Sequence, residues 1–152
     1  MSEPDPEGQL RDYAEALAAG IERALPVWVV QSVVRVMNGE LAETVRMAAQ
    51  DAAAQATAEV GGAVRRLLET DIDQQATTPL ALLRAAVRYP TDVLRQAGAP
   101  GVQRDRFAEE AFPGDIYDLT PASFSDLDPD LAEPGLAWGA AKAFVHKRRH
   151  GG

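Results

Sequence analysis

Residues 40–70, ELAETVRMAAQDAAAQATAEVGGAVRRLLET, hold the longest periodic pattern in the chain. Leu41, Val45, Ala48, Ala52, Ala56, Val60, Val64 and Leu67 recur at steps of three or four, and Ala49, Ala53 and Ala63 widen the stripe. That spacing places apolar side chains on one face of an α-helix. Alanine is the strongest helix former, and its small side chain lets a second helix approach closely. Gly61-Gly62 interrupts the run at a cost of about 1 kcal/mol per glycine against alanine, so a kink or short break is expected there. The stretch predicts a long Ala-rich helix and sets the fold class as all-α.

Upstream, Leu10, Tyr13, Ala14, Leu17, Ile21, Ala24 and Leu25 predict an amphipathic helix over 9–25. Pro26 either kinks that helix or opens the next at its first position. Residues 27–37, VWVVQSVVRVM, are rich in β-branched side chains, and a buried strand would read similarly. Val27, Val30, Val33, Val34 and Met37 fit a helical stripe, with Gln31, Ser32 and Arg35 on the other side, so we read a helix ending at Asn38-Gly39. Trp28 and Val29 widen its apolar surface beyond one face, as expected of a helix held between two partners. Residues 1–8 carry two prolines and three acids and read as a disordered leader. Residues 9–70 then form a helical hairpin.

Downstream, residues 71–77 read as a polar joint, and Thr78-Pro79 opens a helix over 80–88, with Thr as N-cap and Pro at the first position. Tyr89-Pro90 should end it, because the residue before proline is disfavoured in the α region. Short helices are expected over 91–97 and 103–112, with one turn after Thr120-Pro121. The last helix, 134–149, should turn Leu136, Ala140, Phe144 and Val145 inward, with Trp138 in the core. Residues 78–150 form a compact helical region expected to pack on the hairpin as one domain.

The 152 residues carry a net charge of -8 and no cysteine. An acidic chain lacks the basic footprint of nucleic-acid binding, and without cysteine there are no disulfides, thiolate catalysis or Cys-ligated metal. The uncharged run 24–34 is about half the span a bilayer needs, and the acidic start is the reverse of a signal peptide. A cytoplasmic protein without membrane attachment is expected.

Catalytic motifs are sparse. Ser123 and Ser125 sit in no nucleophile elbow. Neither glycine-rich phosphate loop occurs. Asp126, Asp128 and Asp130 have the alternate spacing of a calcium loop, but Leu131 and Ala137 stand where Gly and Glu are needed. His146 and His150 share a helical face, yet Lys147, Arg148 and Arg149 between them repel a cation. Neither a metal nor another cofactor is called for.

Segment 105–133 holds nine acids against one base, Arg106. Such runs are usually solvated loops. The functional rival is a docking surface of Asp115, Asp118, Asp126, Asp128 and Asp130, with Phe112, Tyr117 and Phe124 as apolar anchors. Three stretches, Thr78-Pro79-Leu80-Ala81-Leu82-Leu83, Leu119-Thr120-Pro121-Ala122-Ser123-Phe124 and Glu133-Pro134-Gly135-Leu136-Ala137-Trp138-Gly139, together with Tyr89-Pro90-Thr91, carry a resemblance. The stretch from Thr77 to His150 resembles an uncharacterised family of small actinobacterial proteins. The resemblance implies a cytoplasmic, high-GC bacterial origin and transfers no catalytic residue.

The leading expectation is a non-enzymatic helical interaction protein, an adaptor, regulator or assembly factor. It would meet a protein partner, or a second copy, through Val27, Trp28, Val30 and Val34 and the acidic loop. The alternative is a small-molecule-binding protein or cryptic enzyme with a pocket between helices, its polar groups drawn from Arg84, Arg88, Tyr89, Asp92 and His146.

Overall fold

A computed structural model describes residues 6–69 and 78–150. Helix α1 runs from Pro6 to Val36 and is the axis of the core. It begins inside the segment expected to be a disordered leader, so residues 6–8 are helical; residues 1–5 lie outside the described residues. It also passes through Pro26 without ending. An internal proline costs about 3 kcal/mol. Here Leu17, Ile21, Leu25, Val29 and Val33 are fully buried on one continuous stripe, and each such side chain contributes roughly 1.5–3 kcal/mol. Burial on both sides of the proline outweighs the lost hydrogen bond. The helix stops where Asn38 and Gly39 take left-handed φ values of 58° and 82°, conformations that Asn and Gly tolerate best.

Helix α2 (Glu43–Ala56), a π-helical turn (Thr57–Gly61) and α3 (Gly62–Glu69) form the return arm of the hairpin. Ala49, Ala52, Ala53 and Ala56 are buried where α2 packs on α1 and α5, as the alanine stripe predicts. The break expected at Gly61-Gly62 takes the form of the π turn, which closes on Gly61. Arg65 of α3 reaches across to α1, donating to Glu22 (2.5 Å) and Glu15 (2.6 Å). Those hydrogen bonds, to Glu22 first, raise its pKa above its already high value. The partly exposed pairs contribute at most about 1 kcal/mol each.

After the joint at 71–77, which lies outside the described residues, Thr78 caps α4 (Pro79–Ala85), accepting from the Ala81 amide at 3.1 Å. Helix α5 (Arg88–Gln96) starts before Tyr89-Pro90, not after it. Pro90 falls in the first turn, where no intrahelical N–H bond is required, so it does not break the helix. Helix α6 is short (Arg106–Ala111) and capped by Asp105. Helix α7 (Phe124–Leu127) starts three residues beyond Thr120-Pro121, because Ser123 and Asp126 form a capping box. A 3₁₀ turn (Pro129–Leu131) leads into α8 (Ala132–His150). No strand occurs among the described residues.

Helices α2, α3, α5 and α8 all contact α1, and α5 also contacts α2. The buried residues of both halves form one core around α1. In α8 the inward stripe is Gly135, Trp138 and Val145, continuing from Leu131 of the 3₁₀ turn. The expected inward stripe is therefore corrected for Leu136 (76% exposed), Ala140 and Phe144 (57% exposed). The reason is Gly135: a Cβ there would sit 2.5 Å from Phe124 Cδ2, so only glycine permits the approach of α8 to α7. Gly135→Ala should destabilise the fold by about 1–2 kcal/mol, overpacking outweighing the gain in helix propensity. Gly139→Ala, which faces open space on the same helix, should stabilise by up to about 1 kcal/mol. Urea unfolding of both variants checks the opposite signs.

Candidate functional site

Two surfaces collect the residues singled out from sequence. The first is a groove of about 490 Å³ between α1 and α2. Val27 (54% exposed) and the half-buried Val30 line it, beside Pro26, Gln31, Gln50 and Ala54. Its lining carries no charged side chain. Val34 is half-buried one turn further along. Trp28, expected on this surface, is instead in the core at 8% exposure. Val29 and Ser32 are buried with it, so the helix is rotated relative to the stripe expected for 27–37. Residues 25, 28, 29, 32 and 33 form an equally good stripe, continuous with the buried face of 10–24, and that continuity decides the rotation.

Several carboxylates of the acidic loop bond to the loop's own backbone. Asp115 is 4% exposed, and its Oδ2 accepts from the Leu119 amide (2.7 Å), the Thr120 amide (2.6 Å) and the Thr120 hydroxyl (2.7 Å). Asp126 accepts from the amides of Ala122 and Ser123, and Asp128 from that of Asp130. Asp118 holds a left-handed turn at φ 57°. Asp118 and Asp130 are exposed. The aromatic anchors are also occupied. Tyr117 is buried and donates to the Ala99 carbonyl at 2.7 Å, Phe124 packs on Gly135, and Phe112 lies under the Arg84 guanidinium at 5.6 Å. No group of three or more His, Asp or Glu able to hold a metal occurs among the described residues.

The second surface is a cleft of about 540 Å³ between the α4–α5 turn and the loop 111–120. Of the five polar groups expected in a pocket, Arg84, Arg88 and Asp92 line it. Tyr89 and His146 are not among its lining residues. The buried Tyr89 hydroxyl donates to Glu59 of the π turn, and Arg88 Nη2 reaches both Tyr89 (2.8 Å) and Glu59 (3.2 Å). Burial, then donation to Glu59, pushes the Tyr89 pKa above the usual phenol value, so it stays a neutral donor. His146 is exposed on α8.

Arg95, Thr91, Asp115 and Thr120 also line the cleft, and the sequence pattern did not single them out as pocket residues. A signal is present: Arg84, Arg88, Thr91 and Arg95 follow steps of four, three and four. Ending a helix at Tyr89-Pro90 hides it. Compared with models of known families, with curated proteins and with solved structures, the chain matches none of them.

Proposed function

We propose that this chain is a non-enzymatic helical interaction protein that pairs with a second copy of itself through the α1–α2 face. The observation that carries the proposal is the uncharged, apolar groove around Val27 and Val30 on a chain whose net charge is -8. Two strongly acidic copies repel over most of their surfaces. At this groove they bring no like charges into contact, and the small side chains of Ala53 and Ala54 allow close helix packing. Gln31 and Gln50 can hydrogen-bond across a two-fold axis, an arrangement that self-complementary interfaces favour. The interface is selected by shape rather than by the acidic loop.

A cytoplasmic setting belongs to the same proposal. Helix α1 has the length and hydropathy to cross a bilayer, but 56% of its most apolar window is buried inside the fold, as in the core helix of a soluble protein.

Sedimentation velocity tests the pairing. The full chain should sediment at about twice its 16.3 kDa mass. Val27→Asp combined with Val30→Asp should sediment as a monomer, because a carboxylate without a partner in an apolar interface costs several kcal/mol. Circular dichroism should be unchanged. A wild-type chain that is monomeric at tens of micromolar, or a folded variant that still pairs, refutes the proposal.

A further inference from the structure

The cleft beside α5 shares no lining residue with the α1–α2 groove and stands independently of the pairing. It brings together Arg84, Arg88 and Arg95. Arg84 is held in place: its Nε donates to the Pro121 carbonyl and its Nη2 to the Ala122 carbonyl, both at 3.2 Å. A guanidinium has five N–H donors, so Arg84 and Arg88 keep donors beyond those their protein partners occupy. Arg95 is exposed and has no ion pair among the described residues.

Two further lining residues supply the second, independent observation. Thr91 and Asp115 are 7% and 4% exposed, and Thr91 Oγ1 and Asp115 Oδ1 are buried without a hydrogen-bond partner among the described residues. Leaving such a group unpaired destabilises the fold. Buried orphans are rare in folded proteins; these two oxygens lie just beneath the cleft surface, in side chains that line it, and an occupant reaches them by parting that wall.

Both signs of the local charge constrain that occupant. Arg88 is paired with Glu59 outside the cleft, so the Arg84 and Arg95 guanidinium groups are the ones that favour an oxyanion, and their fork geometry suits phosphate or carboxylate equally. Asp92 and Asp115 disfavour a bare anion, and a carboxylate oxygen such as Asp115 Oδ1 accepts hydrogen bonds. We infer that the cleft binds a small oxyanion carrying its own hydroxyl donor, the anionic group against Arg84 and Arg95 and the hydroxyl toward Thr91 and Asp115. The cleft volume, about 540 Å³, leaves room for such a ligand with water beside it.

Amide-resolved NMR titration of the full chain tests the inference with four probes: glycerol 3-phosphate, lactate, inorganic phosphate and glycerol. At least one of the first two should saturate, with shifts confined to α5 and the loop 111–120, and bind about tenfold or more tighter than inorganic phosphate or glycerol. Which of them binds tells phosphate from carboxylate. Arg95→Gln and Thr91→Val should each weaken that binding about fivefold or more, the loss expected when one hydrogen bond to a charged or hydroxyl group is removed. Thr91→Val should leave the free protein at least as stable to urea, since the hydroxyl it removes is buried without a protein partner. No saturation by either hydroxylated anion, equal binding of inorganic phosphate, or unchanged binding by both variants overturns the inference.

Discussion

Leu25→Ala should lower the unfolding free energy by about 3 kcal/mol, a magnitude typical of removing a fully buried leucine. Leu25 is completely buried and immediately precedes Pro26. Its Cδ1 lies 3.6 Å from where a Cβ on Gly61 would stand, so it fills the junction between α1 and the π turn. Both neighbours resist collapse into the cavity, because one is a proline inside a helix and the other is a widened turn held by Glu59 and Thr57. Thr57 Oγ1 donates to the Ala53 carbonyl at 2.8 Å, and Glu59 accepts from Tyr89. Val27→Ala, two residues away but half exposed, should change stability by no more than about 0.5 kcal/mol. Urea unfolding followed by tryptophan fluorescence measures both. A Leu25→Ala loss below about 1 kcal/mol would mean that α1 presents a different face to the core.

Asp115→Ala should cost a similar amount, about 3 kcal/mol, because one carboxylate oxygen accepts three hydrogen bonds and one of its donors, the Leu119 amide, is buried. Removing the acceptor leaves donors with no replacement, at about 1–3 kcal/mol for each buried group. Asp115→Asn keeps an acceptor and should cost less than half as much. Hydrogen exchange adds a local readout: the Leu119 and Thr120 amides should lose protection in Asp115→Ala and largely keep it in Asp115→Asn. Wild-type protection in the alanine variant would show that the loop is held by something else, such as the Arg104 bond to the Phe112 carbonyl at 2.6 Å.

These two side chains differ in how plainly the sequence reveals them. Leu25 sits on a stripe that the 3.6-residue period exposes directly. Asp115 is one acid among nine in its segment, and composition reads it as surface. Only the fold shows that the groups donating to it lie four and five residues on, in a turn closed by a left-handed Asp118. The pocket residues divide the same way. Arg84, Arg88 and Asp92 stand out as polar groups on apolar helices, whereas Arg95 requires α5 to run through Pro90. Tyr89 stands out for its polarity too, but it is committed to Glu59, a residue thirty positions away.

The all-α class, the alanine-lined hairpin, the stop at Asn38-Gly39 and the Thr78-Pro79 cap follow from local chemistry. Periodicity, propensity and capping act within one or two turns of chain, so neighbouring residues suffice to specify them. The rotation of α1 that buries Trp28 and exposes Val27 belongs to the tertiary structure, as does the rotation of α8 that exposes Leu136 and Phe144. Each helix carries two overlapping apolar stripes, and local preference does not separate them. Contacts between distant segments do: the continuous face of α1 against α2, α5 and α8, and the close approach of Gly135 to Phe124. The arginine cleft likewise exists only because the loop 111–120 folds back over α5.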